Sequence, residues 1–399
     1  MNATKPLRVP AIDGLRAVAA LAVVVFHTWE IIGAPRFAHR VLNAAGGGYL
    51  GVDMFFVISG FVMFLPFATD QPFRPRAYAR RRVARILPAY YVSIAVVLAV
   101  WSFALHQPPS THHPLTTGDG VFQVAMHLVM AQALVLPIVH ATFGLGIDGA
   151  WWTLTWEAMY YGVLPEIARR FRQAPTAYTI GALVVATATR IVAFRAASVM
   201  HHLPEAVQLF VRAMAEGIIG YGGHFAVGML VAWTVARRAA PRRWTAFLLA
   251  AGGFAVTAAV WLWLGDLAAR DHAVQPRWMA YFVGRPVLAV GFGAFLFGAA
   301  HLERANALLG SRPLKWIGDR SYGVYLFHSI AIALLYNGVL HSQPTAAGLL
   351  RGLAVIVPIA LVAGAISYRW VEQPAIRWAR RRETATDRAR HRVEDAAAP

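Results

Sequence analysis

The sequence predicts an all-α polytopic membrane protein with about ten transmembrane helices, one re-entrant or interfacial helix, and both termini in the cytoplasm. Three observations carry that prediction. Of 399 residues, 58% are hydrophobic and 14% charged, and the mean hydropathy is +0.50, which is not the composition of a water-soluble domain. Apolar runs long enough for the hydrocarbon core of a bilayer recur from end to end. Lys and Arg gather in particular connections, as they do in cytoplasmic loops.

The first apolar run, 14–32, follows Lys5 and Arg8. It reads as a retained span, because cleavage near residues 44–48 would discard Arg16 and His27. Further runs fall at 48–68, 84–105, 121–138, 151–167, 177–195, 217–236, 244–264, 281–300, 321–340 and 350–371. The basic connections are 74–85, 169–172, 237–243, 301–315 and the tail. Eleven crossings would place 169–172 and 237–243 outside. Removing the run at 121–138, which is short and holds Gln123, His127 and Gln132, returns every later basic loop to the cytoplasm. Trp29, Trp101, Trp151, Trp244 and Trp278 lie near predicted span ends, where an aromatic belt would sit. Residues 1–376 thus form one transmembrane domain, and 377–399 a basic cytoplasmic tail that need not fold.

Several function classes drop out. With no cysteine, disulfides, thiolate metal sites and a cysteine nucleophile are excluded. The net charge of +18 is divided among short loops instead of forming one basic face, so no nucleic-acid partner is expected. The doublets His112-His113 and His201-His202 diverge on any regular element, and no zinc, Walker or dinucleotide motif occurs, so no metal is expected.

What remains is a set of ionisable residues inside apolar segments, each a site candidate because burial in a membrane is costly. Arg16 and His27 share one helix face, roughly 16 Å apart along the axis. Asp53 in GVDMFFVISGFVMF and Glu157 in WWTLTWEAMYY are expected at the depth of His27, with Glu157 its preferred carboxylate partner as a general base. The alternative is that Asp53 caps its helix and Glu157 pairs with Arg190. Arg80, Arg81, Arg82 and Arg85 open the third span as a cluster suited to phosphates, with Arg82 and Arg85 one turn apart and facing together. His328 is expected about 10 Å in from the cytoplasmic side, and Glu372 at the inner surface, lining a vestibule or packing a helix end. Ser59 is a candidate relay, although Gly60 beside it suggests close helix packing.

DGLRAVAALAVVVFH, GVDMFFVISGFVMF, RRRVARILPAYY, WTLTWEAMYY, SYGVYLFHSI and WVEQPAIR occur in this order from Ile12 to Arg377. In this the chain resembles the acyltransferase 3 family of integral membrane O-acyltransferases. The resemblance implies that Arg16 and His27 are the family's essential pair, that Arg82 and Arg85 contact acyl-CoA, and that the chain is the stand-alone form without a C-terminal esterase-like domain. It also implies a plasma-membrane enzyme that moves an acetyl or other short acyl group from cytoplasmic acyl-CoA, a co-substrate and not a bound cofactor, to an extracytoplasmic glycan, glycolipid or glycosylated metabolite. The phosphates of acyl-CoA would then meet the cluster of Arg80, Arg81, Arg82 and Arg85. His27 would act as general base or as acyl carrier. The competing reading is a proton-coupled transporter or flippase of a glycan or lipid.

Overall fold

The structure is a computed structural model and describes residues 9–69, 73–100, 102–103, 118–135, 150–199, 203–271, 278–335 and 344–383. Among these all regular structure is helical. Ten long helices are α1 (Ala11–Ile31), α2 (Gly51–Ala68), α3 (Pro75–Val100), α4 (Trp152–Phe171), α5 (Pro175–Val199), α6 (Ile218–Arg237), α7 (Arg243–Asp271), α8 (Trp278–His301), α9 (Arg312–Leu335) and α10 (Ala346–Ser367). They correspond one for one to the ten expected spans. Eight are long and apolar enough to cross a membrane. The other two, α4 and α9, have 20 and 24 residues but carry several charges, among them Glu157 and Arg170, and Lys315 and Asp319.

Helix directions account for the eleventh run. In α1 and α9, Asp13 lies against Gly318 and His27 against His328, so the two helices are parallel. In α2 and α6, Asp53 meets His224 and the Ala68 carbonyl meets Arg237, so these are parallel too. Parallel neighbours need an odd number of crossings between them, which α2 to α8 and α3 to α5 supply. The run at 121–138 holds the 11-residue helix Gly118–Leu128, roughly 16 Å long and about half of a crossing. The chain turns at Met130 with φ +55.

Glycine sets the closest approach. A Cβ at Gly60 would collide with the Phe225 carbonyl, and one at Gly228 with the Val57 carbonyl, so α2 and α6 pack backbone to backbone. The expected close packing at Gly60 is therefore present.

Two expectations are corrected. The last helix does not stop at 371: it continues through a π-helical turn, Tyr368–Glu372, to Glu383, and the rest of the expected tail, 384–399, lies outside the described residues. Trp29 and Trp151 do not belong to an aromatic belt, being 3% and 0% exposed, with indole N–H groups donating to the carbonyls of Pro35 and Leu326. Trp244, 69% exposed, fits a belt. Trp101, His112, His113, His201, His202 and the Trp278 side chain lie outside the described residues.

Candidate active site

Arg16 on α1, Ser59 on α2, Arg82 and Arg85 on α3, and Glu157 on α4 line one cavity of about 140 Å³. Thr153, Tyr161, Ser321, Tyr322 and Tyr325 add hydroxyls, and Val52, Phe55, Phe56 and Leu154 add apolar walls. Arg82 and Arg85 are one turn apart, so both reach the same space. The Arg82 guanidinium stands over the rings of Tyr78 and Tyr161, at 5.4 and 5.3 Å. Arg85 Nη1 lies 2.8 Å from Glu372 Oε2 and its guanidinium stands over Tyr322. Glu157 Oε1 accepts from the Tyr161 hydroxyl at 2.7 Å and from Ser59 Oγ at 3.2 Å. Three guanidiniums against one lining carboxylate make this cavity attractive to anions.

Arg80 and Arg81 do not line the cavity. Arg81 pairs with Glu383 at the surface. Glu372 is wholly buried and also receives Ser367 Oγ at 3.3 Å. Of the two roles expected for Glu372, the buried packing position is the one found, and it holds Arg85.

His27 stands apart from the cavity. Its Nδ1 lies 3.0 Å from Glu30 Oε2, and its ring centroid is 5.1 Å from Phe26 and 5.2 Å from His328. A carboxylate accepts, so Nδ1 carries the hydrogen and Nε2 is left as the basic nitrogen. Between the two stations come Phe55 and Tyr325, with ring centroids 6.2 Å apart, and Tyr325 is 5.9 Å from His328.

The expected pairing of His27 with Glu157 is not what forms. Trp151, at the head of α4, donates to the Leu326 carbonyl, two residues before His328, so α4 starts near the level of His27 and its next turns carry Glu157 away from it, to Ser59 in the Arg16 cavity. Asp53 neither caps its helix nor joins His27. It is wholly buried and bidentate with Arg285, Oδ1 to Nε 2.8 Å and Oδ2 to Nη2 3.1 Å, and His224 Nε2 is 2.7 Å from Oδ1. Arg190 lies over the Tyr221 ring and not at Glu157. His328 is corrected outward to the level of His27, because α9 begins at Arg312, nine residues before the predicted start.

Sequence reasoning missed Glu30, Arg285 and His224. Glu30 had a readable signal, since His27 and Glu30 are three apart and share a helix face. Arg285 and His224 had none, being more than 170 residues from Asp53.

A family model described as an acyltransferase domain matches residues 9–368. The peptidoglycan O-acetyltransferase OatA of Listeria monocytogenes is 24% identical over 385 residues, covering 92% of this chain and 55% of its own length. The exopolysaccharide production protein ExoZ of Rhizobium meliloti is 26% identical over 384 residues, 91% of this chain and 98% of its own. The O-acetyltransferase OatA of Staphylococcus aureus is 23% identical over 400 residues, 92% of this chain and 57% of its own. This chain thus spans little more than half the length of either OatA. No solved structure matches it. With the helices α1 to α9, the arginine-lined cavity and the His27–Glu30 pair all inside the matched residues, the chain belongs to the acyltransferase 3 family.

Proposed function

We propose that this protein transfers an acetyl or other short acyl group from cytoplasmic acyl-CoA to a hydroxyl of an extracytoplasmic glycan, glycolipid or glycosylated metabolite, working in the inner membrane with both termini cytoplasmic. One observation carries the reading: α1 joins two chemically distinct stations, Arg16 in the arginine-lined cavity and His27, eleven residues on, against Glu30. The donor's phosphates meet Arg82 and Arg85 through charge-assisted hydrogen bonds. Its arm extends past Phe55 and Tyr325, over roughly 16 Å of α1.

His27 is the general base, with Glu30 fixing its tautomer. The acceptor hydroxyl gives its proton to Nε2 and its oxygen bonds the thioester carbonyl carbon. The carbon–sulfur bond then breaks, and the thiolate takes the proton back from His27. Glu157, held by Ser59 and Tyr161, works at the donor end. The relatives support the reaction class: two carry the name O-acetyltransferase, and the third is named for exopolysaccharide production.

The test is release of free CoA by the purified protein from acetyl-CoA with a saccharide acceptor. His27→Ala abolishes it on this reading, and acyl transfer that persists in that variant overturns the assignment. Mass analysis of surface glycans and secreted metabolites, with and without the chain, identifies the acceptor.

A further inference from the structure

His328 has no part in the chemistry above, yet it lies against the base. The two ring centroids are 5.2 Å apart with planes tilted by 35°, and Phe26 meets the His27 ring edge-on at 5.1 Å. The His27 side chain is 30% exposed, whereas His328 is wholly buried. His328 Nδ1 is 2.8 Å from the Tyr325 carbonyl oxygen, a contact it makes only as an N–H donor. Its Nε2 is buried with no hydrogen-bond partner among the described residues. A second proton there would sit unsatisfied in a dry site, so this geometry holds the ring neutral.

His27 becomes a cation for as long as it holds the acceptor's proton. A cation within about 6 Å of an aromatic centroid is attracted to the ring, more strongly where water is excluded. We propose that His328 is a positioning residue for His27. Its neutral ring packs against the His27 imidazole, limits the ring's movement and stabilises the imidazolium formed during acyl transfer. This inference rests on the acyl-transfer reading of the site.

Two substitutions separate the brace from a merely structural hydrogen bond. His328→Asn keeps a donor for the Tyr325 carbonyl and loses the ring. His328→Phe keeps the ring and loses the donor. With full-length protein in detergent micelles, acetyl-CoA as donor and chitotetraose as acceptor, His328→Asn lowers kcat about tenfold with KM for acetyl-CoA unchanged, while His328→Phe stays within about threefold of the parent. Monodisperse elution and thermal unfolding establish that both variants fold. Activity retained in His328→Asn overturns the proposal, as does loss in a folded His328→Phe.

A second measurement does not depend on turnover. Carbethoxylation of His27 by diethyl pyrocarbonate, followed by mass spectrometry, runs several-fold faster in His328→Asn than in the parent or in His328→Phe. Equal rates in all three overturn the brace. A parent protein that modifies normally but releases no CoA instead overturns the acyl-CoA reading.

Discussion

Arg85 and Glu372, 287 residues apart in sequence, meet at 2.8 Å, with the carboxylate wholly buried in a π-helical turn. The contact ties the last helix to the cavity wall on α3 and aims the Arg85 guanidinium. Glu372→Gln keeps the size and removes the charge. It raises KM for acyl-CoA about tenfold and changes kcat by less than threefold, in keeping with a lost charge-assisted bond. Steady-state kinetics with varied acetyl-CoA checks this, and a fall confined to kcat would contradict it.

The four neighbouring arginines divide into unequal roles. Arg82→Ala removes a guanidinium from the cavity and weakens acyl-CoA binding by about tenfold or more. Arg81 sits at the surface against Glu383, so Arg81→Ala stays within about threefold. Titration calorimetry with a non-hydrolysable acetyl-CoA analogue measures both. Equal losses would mean that charge alone, and not the facing of α3, governs binding.

Glu30 and Glu157 give opposite kinetic signatures. Glu30→Gln leaves His27 without its orienting carboxylate and lowers kcat by about a hundredfold or more, with KM for the donor unchanged. Glu157→Gln disturbs the Ser59 and Tyr161 hydrogen bonds in the donor cavity and raises that KM. A reversed pattern would return Glu157 to His27.

Asp53 and Arg285 form a structural tie joining α2 and α8, both side chains almost wholly buried. Removing one partner strands a charge inside the bundle. Asp53→Asn and Arg285→Ala each cost about 3–5 kcal/mol, whereas replacing both with apolar residues recovers most of the loss. Unfolding in mixed micelles reads all three variants.

In the short helix Gly118–Leu128, burial pushes the His127 imidazole down to about 4. The unfolded chain takes up that proton near pH 6.5. Stability is therefore complete above pH 6.5 and falls as the pH drops toward 4, by up to about 3 kcal/mol. His127→Phe flattens that part of the stability curve, and a slope that survives the substitution would place its origin elsewhere.

The ten long helices were legible because each is an apolar run whose hydrogen bonds close within itself, and the positive-inside bias sorted their ends. The shared facing of Arg82 and Arg85 was equally local, fixed by one helical turn. His27–Glu30 was local too, but Glu30 lies in the last turn of the apolar run and reads as a boundary residue. Depth was not local. Glu157 joins Arg16 because α4 starts at Trp151 near the level of His328, and His328 joins His27 because α9 starts nine residues before its apolar run. The partners of Asp53 and Arg85 come from helices more than 170 and 280 residues away. The sequence by itself thus determined which residues are expensive to bury. Only the tertiary structure decided which of them share a cavity, because a helix records the spacing of its own side chains and nothing of its height relative to its neighbours.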